Sequence, residues 1–215
     1  IPKLRDEERF QVLPVGRVSG ELPAGVATVD NVYAFNLMTS IDQSDTQPER
    51  LAGVRLSDFL ARLARETVVA ADGQRIWRWV YKPEIVVERP AADAAGFGEL
   101  SRAAARSPRF VLLIDQFEEI ITSHPGRWQE REAFFRQLNQ ALLDDPNLWV
   151  ALTLREDYVA ALDPYAELTF NRLRARFYME RMGVAAALDA VRQPAELGGR
   201  PFAPDVAERL VDDLR

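Results

Sequence analysis

The sequence predicts an α/β protein built around a parallel sheet. Two unbroken apolar runs carry this prediction, Phe110–Ile114 and Leu148–Leu154. Neither run alternates apolar with polar residues, a pattern typical of strands covered by helices on both faces. The segment between them, GRWQEREAFFRQLNQALLDD, places apolar residues at helical spacing. Strand, helix and strand of this length form a βαβ unit with two parallel strands.

The elements before this unit follow from shorter patterns. A helical tail, IPKLRDEERF, leads into an apolar run at Phe10–Val15 that predicts a strand, with Arg17 near its carboxyl end. The stretch DNVYAFNLMTSI predicts a short helix. The stretch LSDFLARLARETV predicts an amphipathic helix whose apolar face carries Leu56, Phe59, Leu60 and Leu63. Residues 70–98 are irregular, and we expect an insertion there with two short strands, in RIWRWVY and EIVVE.

Helical patterns also lie before and after the βαβ unit in the sequence. ELSRAAAR predicts a helix that stops at Pro108, just before the first apolar run. After Arg155 the pattern is mostly helical, in DYVAALDPYAEL, GVAAALDAVRQPAEL and PDVAERLVDDLR. A short strand is expected between these helices, in RARFYMERM.

Composition limits the classes of function. The 27 basic and 33 acidic residues give a net charge of −6, so the whole chain lacks the basic character of a non-specific nucleic-acid binder. The absence of cysteine excludes disulfides and zinc-thiolate sites. No apolar run approaches the length of a bilayer span, and no signal peptide is visible at the start. We therefore expect a cytoplasmic protein with no membrane partner and no strong nucleic-acid signal.

Charged residues follow three of the predicted strands, where open parallel sheets bind ligands. They are Arg17, the cluster of Asp115 with Glu118 and Glu119, and Arg155. Glu119 can return to the side of Asp115 whether the chain continues extended or turns helical, whereas Glu118 does so only in a helical turn. One carboxylate would hold Mg²⁺ through water while another orients or deprotonates an attacking water. Arg155 would neutralise charge on a terminal phosphate.

Each of these positions also has a purely structural interpretation. Apolar strands often end in aspartate, and the acids that follow often cap the next helix. Arg155 would then be a solvated strand end with Asp157 as a helix cap, and Arg17 would be structural or solvated. His124, the only histidine, would be a surface residue. A metal-dependent nuclease using Asp115 is a further alternative, but its usual acid-x-lysine companion is missing.

The order of the segments resembles the STAND class of P-loop NTPases. FVLLIDQFEEI resembles the extended Walker B segment of a bacterial subgroup, in which an apolar strand runs into D-Q-F-E-E. IPKL with FQVLPVGRVSG looks like the stretch after the P-loop helix, and ALTLREDY like the strand with the sensor arginine. ALDAVRQPAELGGRPFAPDVAERLVDDL looks like the start of the helical lid. The resemblance covers most of the chain apart from residues 70–98.

The resemblance implies an ATP-dependent molecular switch, closed with ADP and oligomeric with ATP, that joins a sensor region to an effector of the same polypeptide. Residues 1–180 would form a parallel-sheet P-loop NTPase core of the AAA+/STAND-like kind, with the irregular insertion around 70–98. Residues 181–215 would begin a helical lid domain.

The resemblance also implies a role for each site residue. Asp115 would serve Mg²⁺, Glu119 would be the preferred catalytic acid, and Glu118 would be the second choice. Arg155 would sense the terminal phosphate of ATP. For the bound ATP or ADP itself, Pro194 would border the adenine. Arg17 is the other candidate nucleotide-binding residue.

One feature of the family is missing from this sequence. No G-x-x-x-x-G-K-[ST] occurs, and neither Lys3 nor Lys82 has the glycines that would let backbone N–H groups cradle phosphates. We expect the loop to lie upstream of Ile1 or to have been lost, so this chain alone should bind ATP poorly and be inactive. An ATPase module and a non-catalytic nucleotide-binding scaffold or interaction module both stay open.

Overall fold

The computed structural model describes residues 10–87, 108–169 and 173–214, and the chain divides into two compact units, Ile1–Arg174 and Ala175–Arg215. The elements of the first unit are β1 (Phe10–Val12), α1 (Val32–Ile41), α2 (Leu56–Ala61), β2 (Leu63–Val69), β3 (Arg75–Tyr81), β4 (Arg109–Ile114), α3 (Glu119–Thr122), α4 (Gln129–Asp144), β5 (Leu148–Leu152) and α5 (Asp163–Ala166). The second unit contains α6 (Val184–Leu197) and α7 (Val206–Asp213). Short 3₁₀ turns lie at Pro48–Leu51, Pro125–Arg127, Glu156–Tyr158 and Ala160–Leu162.

The central sheet has three parallel strands in the order β1, β4, β5. Phe10 pairs with Arg109 and Phe110 pairs with Leu148, so all three carboxyl ends lie at one edge. The predicted α/β class and parallel sheet are confirmed. The expectation of cover on both faces holds for β4 but not for β5, where Trp149 is 58% exposed. β5 has a neighbour on one side only among the described strands.

The helix between β4 and β5 supplies much of the core, as the βαβ pattern predicts. α4 buries Phe134, Phe135, Leu138 and Ala141, and it packs against α1, α2 and β5. Burial of two phenylalanines and a leucine contributes several kcal/mol, on the order of 1.5–3 kcal/mol for each large side chain. The predicted helix at DNVYAFNLMTSI is also present as α1, where the side chain of Asn31 accepts a hydrogen bond from the Ala34 amide at 2.9 Å.

The long helix predicted for LSDFLARLARETV is wrong beyond Ala61. Leu63–Val69 is a strand, β2, that pairs antiparallel with β3. The β-branched residues of this segment favour a strand, and Leu63 lies opposite Tyr81 in the pairing. Tyr81 stacks on Phe59 of α2, with ring centroids 5.4 Å apart. The strand predicted for RIWRWVY is confirmed as β3, whereas residues 84–87 of EIVVE form no strand.

Several shorter predictions have mixed outcomes. Residues 1–9 of the N-terminal helical tail and the ELSRAAAR helix lie outside the described residues. The strand predicted at Phe10–Val15 ends at Val12, and DYVAALDPYAEL forms 3₁₀ turns and α5 in place of one longer helix. RARFYMERM, residues 174–182, forms no strand.

The second unit is a pair of helices that contact each other. Both predicted helices are present as α6 and α7. Ala207 and Val211 of α7 are buried, and a guanidinium nitrogen of Arg192 donates to Glu208 across the pair. The assignment of residues 181–215 to a lid domain stays a prediction. No helix in the described part of the chain is both long enough and apolar enough to cross a membrane.

Candidate functional site

The loop after β1 runs beside the carboxyl end of β4. The amide of Gly16 donates to the Leu113 carbonyl at 2.8 Å, and the amide of Asp115 donates to the Gly16 carbonyl at 2.9 Å. A Cβ atom at Gly16 would lie 2.3 Å from Cδ1 of Leu37 on α1, so any larger residue would force the buried Leu37 side chain to move. This close approach brings Arg17 to the edge where Asp115 leaves β4.

The side chains of the three residues after Gly16 point alternately to opposite sides of the chain. Val18 is fully buried, which turns Arg17 and Ser19 together toward the end of β4. The backbone of this loop is held by α1, because the side-chain amide of Asn36 donates to the carbonyls of Val18 at 3.3 Å and Gly20 at 3.2 Å. The Arg17 amide also donates to a hydroxyl of α1 at 2.9 Å.

Glu119 receives hydrogen bonds from both of these side chains. Nη2 of Arg17 donates to Oε1 at 2.6 Å, and Nε of Arg17 donates to Oε2 at 3.2 Å. The hydroxyl of Ser19 also donates to Oε2. The Arg17 pair is bidentate, the strongest geometry for an arginine and a carboxylate. The side chains are 37% and 21% exposed, so solvent screens the pair only in part.

The surroundings of Glu119 lower its pKa. Burial raises the pKa, but the hydrogen bonds from Arg17 and Ser19 act in the opposite direction and together outweigh it. The hydrogen bond to Glu119 correspondingly raises the pKa of Arg17 above its ordinary value. Glu119 is therefore a carboxylate at neutral pH, able to accept a proton or hydrogen bonds but not to donate one.

Asp115 is held by a hydroxyl from the neighbouring strand. Oγ1 of Thr153 donates to Oδ1 of Asp115 at 2.5 Å and accepts from the Gln116 amide at 3.2 Å. Gln116 has φ of +50°, a left-handed conformation that non-glycine residues rarely adopt. The Phe117 amide donates to the Thr153 carbonyl at 2.7 Å, and the Phe117 ring is fully buried. These contacts hold the turn in its strained form, with Gln116 Oε1 2.5 Å from Nη2 of Arg17.

Arg155 and Glu118 lie outside this set of contacts. The Arg155 side chain is 65% exposed and pairs with Asp157, while its guanidinium lies 5.8 Å from the ring centroid of Tyr158. Oε2 of Glu118 is buried and has no hydrogen-bond partner among the described residues. The structure therefore brings Arg17 and Glu119 together beside Asp115, and the roles of these residues stay predictions.

Pro194 and His124 also have defined surroundings. Pro194 lies inside α6 of the second unit, where its carbonyl accepts from the Gly198 amide at 2.9 Å. Its assignment to the adenine stays a prediction. His124 is half-buried, and its ring meets that of Tyr33 edge to face with centroids 5.7 Å apart.

Sequence reasoning missed three residues of the site, namely Ser19, Gln116 and Thr153. A weak signal existed for each. Ser19 stands two positions after Arg17 in an extended segment and so shares its side. Gln116 lies within the D-Q-F-E-E motif, and Thr153 is the one polar residue within the apolar run Leu148–Leu154.

The oxygen donors at Asp115 suit Mg²⁺ better than a softer metal. Its carboxylate accepts one side-chain hydrogen bond, from Thr153, and carboxylates and hydroxyls are hard ligands. No group of three or more His, Cys, Asp or Glu side chains in the described ranges could hold a metal ion by itself. Mg²⁺ sites often use only one or two carboxylates and take their other ligands from water and substrate phosphates. The residues present thus fit Mg²⁺ carried by a phosphate compound.

A protein-family model described as Novel STAND NTPase 1 matches residues 30–215 of the chain. The matched range includes Asp115, Glu118, Glu119 and Arg155, and it begins after Arg17. No significant match was found among curated proteins or among solved structures.

Proposed function

The chain belongs to the Novel STAND NTPase 1 family, and on that premise we propose that it is the nucleotide-binding and oligomerisation module of a signal-transduction or defence ATPase. Membership of this NTPase family implies that its ligand is a nucleotide. The proposed reaction is hydrolysis of ATP with Mg²⁺ once a phosphate-binding loop completes the site. The proposal places the protein in the cytoplasm, with sensor and effector regions in the same polypeptide and a homo-oligomer as the active form.

One observation carries this proposal. Arg17, Asp115 and Glu119 come from segments about 100 residues apart, yet they meet beyond the carboxyl ends of two neighbouring parallel strands. Ligands bind at this edge in open α/β sheets. A cation, a carboxylate and a deprotonated glutamate are the groups that a phosphoanhydride and an attacking water require.

Each side chain has a separate task in the proposed reaction. Glu119 orients the attacking water and takes its proton, which requires the carboxylate form that prevails at neutral pH. Asp115, fixed by Thr153, faces the phosphates. Mg²⁺, when bound with the nucleotide, neutralises charge on the phosphate oxygens. Glu118 is the alternative catalytic acid.

Arg155 is proposed to sense the terminal phosphate. To do so its guanidinium must leave Asp157, an exposed pair that contributes little stability and breaks readily. Pro194 is proposed to border the adenine. Both roles rest on the family motif.

The phosphate-binding wall of the site is proposed to join the sheet at β5. That strand has a described neighbour on one side only, and its residue Trp149 is exposed. A strand added there would end beside Thr153 and Arg155, and the loop that follows it would face Asp115. The sequence itself holds no G-x-x-x-x-G-K-[ST] motif, and this wall is proposed to come from a segment other than these 215 residues.

The test uses a polypeptide that includes the phosphate-binding loop and compares Glu119→Gln with Glu118→Gln. We expect Glu119→Gln to lower kcat by about 10²- to 10⁴-fold, the usual contribution of a general base. ATP binding should persist in this variant, because the amide keeps the shape of the side chain. Unchanged turnover in Glu119→Gln would remove that residue from the reaction, and loss of turnover only in Glu118→Gln would transfer the role.

A non-catalytic nucleotide-binding scaffold is the second candidate. It is favoured by the three hydrogen bonds that already engage Glu119, since a carboxylate held in this way is less available to water. ADP that stays bound through purification, together with no phosphate release under any trigger, would support the scaffold. Measurable release of phosphate from ATP that depends on Glu119 would exclude it.

A further inference from the structure

We propose that Arg17 and Ser19 form a latch on Glu119, which keeps the carboxylate engaged until a phosphate anion draws the guanidinium of Arg17 away. The meaning of the latch for hydrolysis rests on the proposed function. The contact itself is a property of this chain and can be tested without hydrolysis.

The first step concerns the capacity of the carboxylate to act as a base. A carboxylate offers about four acceptor positions on its two oxygens. Three donors already occupy Glu119, two from Arg17 and one from Ser19. A base must present a free acceptor to the water that it deprotonates. These hydrogen bonds leave about one acceptor position free, and the positive charge of Arg17 weakens the carboxylate as a base, so the observed arrangement describes a resting carboxylate.

The second step concerns which part of the latch can move. The backbone of the loop is held by α1, through Asn36 and through the Ser40 hydroxyl. The guanidinium of Arg17, by contrast, is 37% exposed at the open edge of the sheet. Opening the latch requires only that the guanidinium turn away, while the loop stays in place.

The third step concerns the ligand that would draw the Arg17 guanidinium away from Glu119. A guanidinium binds phosphate oxygens in the same two-pronged geometry as a carboxylate, and a terminal phosphate carries more charge than Glu119. A phosphate at this edge therefore competes directly for Arg17. Gln116, whose side-chain oxygen is 2.5 Å from Nη2 of Arg17, is neutral and holds the guanidinium less strongly.

Ser19 has a different part in the latch. Its hydroxyl is neutral, so a phosphate competes for it far less than for a guanidinium. After Arg17 leaves, Ser19 still donates to Oε2 and keeps Glu119 oriented. Ser19 is thus a positioning residue, and Arg17 is the part that responds to the ligand.

The direct test measures the titration midpoint of the Glu119 carboxyl carbon by ¹³C NMR on the polypeptide that includes the phosphate-binding loop. The signal is assigned by its loss in Glu119→Gln, and inorganic pyrophosphate is the probe, with sodium chloride at equal ionic strength as the salt control. We expect pyrophosphate to raise the midpoint by about one pH unit, the lower end of the effect of an adjacent arginine. Arg17→Met should raise the midpoint without pyrophosphate and abolish the further shift.

The matched control is Arg136→Met, which removes an exposed arginine that pairs with Glu132 on α4. This variant should keep the full response to pyrophosphate. The latch is refuted if pyrophosphate leaves the wild-type midpoint unchanged, or if Arg17→Met and Arg136→Met respond alike.

Ser19 is tested in the polypeptide that includes the phosphate-binding loop. We expect Ser19→Ala to lower kcat several-fold with KM unchanged, and Ser19→Thr to restore it. Equal activity of Ser19→Ala and wild type would show that Ser19 does not position Glu119.

The two experiments together separate the latch from the proposed function. If pyrophosphate shifts the NMR midpoint but Glu119→Gln does not change turnover, the proposed function is refuted and the latch is retained. If pyrophosphate does not shift the midpoint but Glu119→Gln abolishes turnover, only the latch is refuted.

Discussion

Thr153→Val removes the hydroxyl that joins Asp115 and Gln116 to β5, and we expect it to destabilise the first unit. Valine keeps the shape of threonine but can neither donate to Asp115 Oδ1 nor accept from the Gln116 amide. A hydrogen bond to a charged group contributes about 1.5–3 kcal/mol. Because Thr153 and Asp115 are only half-buried, water replaces part of this, and the expected loss is about 1–2 kcal/mol.

Urea unfolding followed by tryptophan fluorescence measures this loss. All four tryptophans lie in the first unit, so the signal reports that unit alone. With an m value of about 2 kcal/mol per M, the midpoint should fall by about 0.5–1 M and m should not change.

Thr153→Ser is the matched control, because serine keeps the hydroxyl and loses only a methyl group. Its midpoint should lie nearer to wild type than that of Thr153→Val. If valine is tolerated as well as serine, the hydroxyl does not stabilise the turn, and the assignment of Thr153 as the support of Asp115 is wrong.

Two further predictions concern the pH and packing of the site. The folded pKa of Glu119 lies below its ordinary value of 4.5, so its stabilising effect is present above that pH and is lost as the pH falls through the folded pKa. The stability gap between wild type and Glu119→Gln should therefore shrink in urea titrations below about pH 4.5, and a constant gap would contradict the pKa shift. Gly16→Ala should cost about 1–3 kcal/mol because its Cβ would collide with Leu37, whereas Gly53→Ala, in open space, should cost far less. Equal melting temperatures of these two variants would count against the close packing of α1 on the loop.

The central sheet could be predicted because its signal is local. An unbroken apolar run needs no partner to be identified as a buried strand, and β4 and β5 were found on that basis. The end of α2 could not be found in this way. Leu63 suits the apolar face of a helix as well as it suits a strand, and the choice is made by pairing with Tyr81, a residue that lies 18 positions further along the chain.

The candidate site shows the same division. Asp115 and Glu119 could be predicted from one short motif, but the residues that hold them could not. Ser19 is 100 positions from Glu119, and Thr153 is 38 positions from Asp115. Arg155 illustrates the opposite case, in which a carboxylate two positions away engages a side chain assigned to a distant ligand.

The hydrogen bonds from Asn36 to the loop after β1 determine how fast Arg17 can exchange partners. Because α1 fixes the loop backbone, any exchange of partners by Arg17 is a rotamer change of one partly exposed side chain, which takes picoseconds to nanoseconds. Movements of whole domains take microseconds to milliseconds. The hydrogen bonding of Glu119 would therefore adjust to phosphate binding within nanoseconds. If the proposed switch keeps one conformation for longer than that, slower domain rearrangements would have to maintain it.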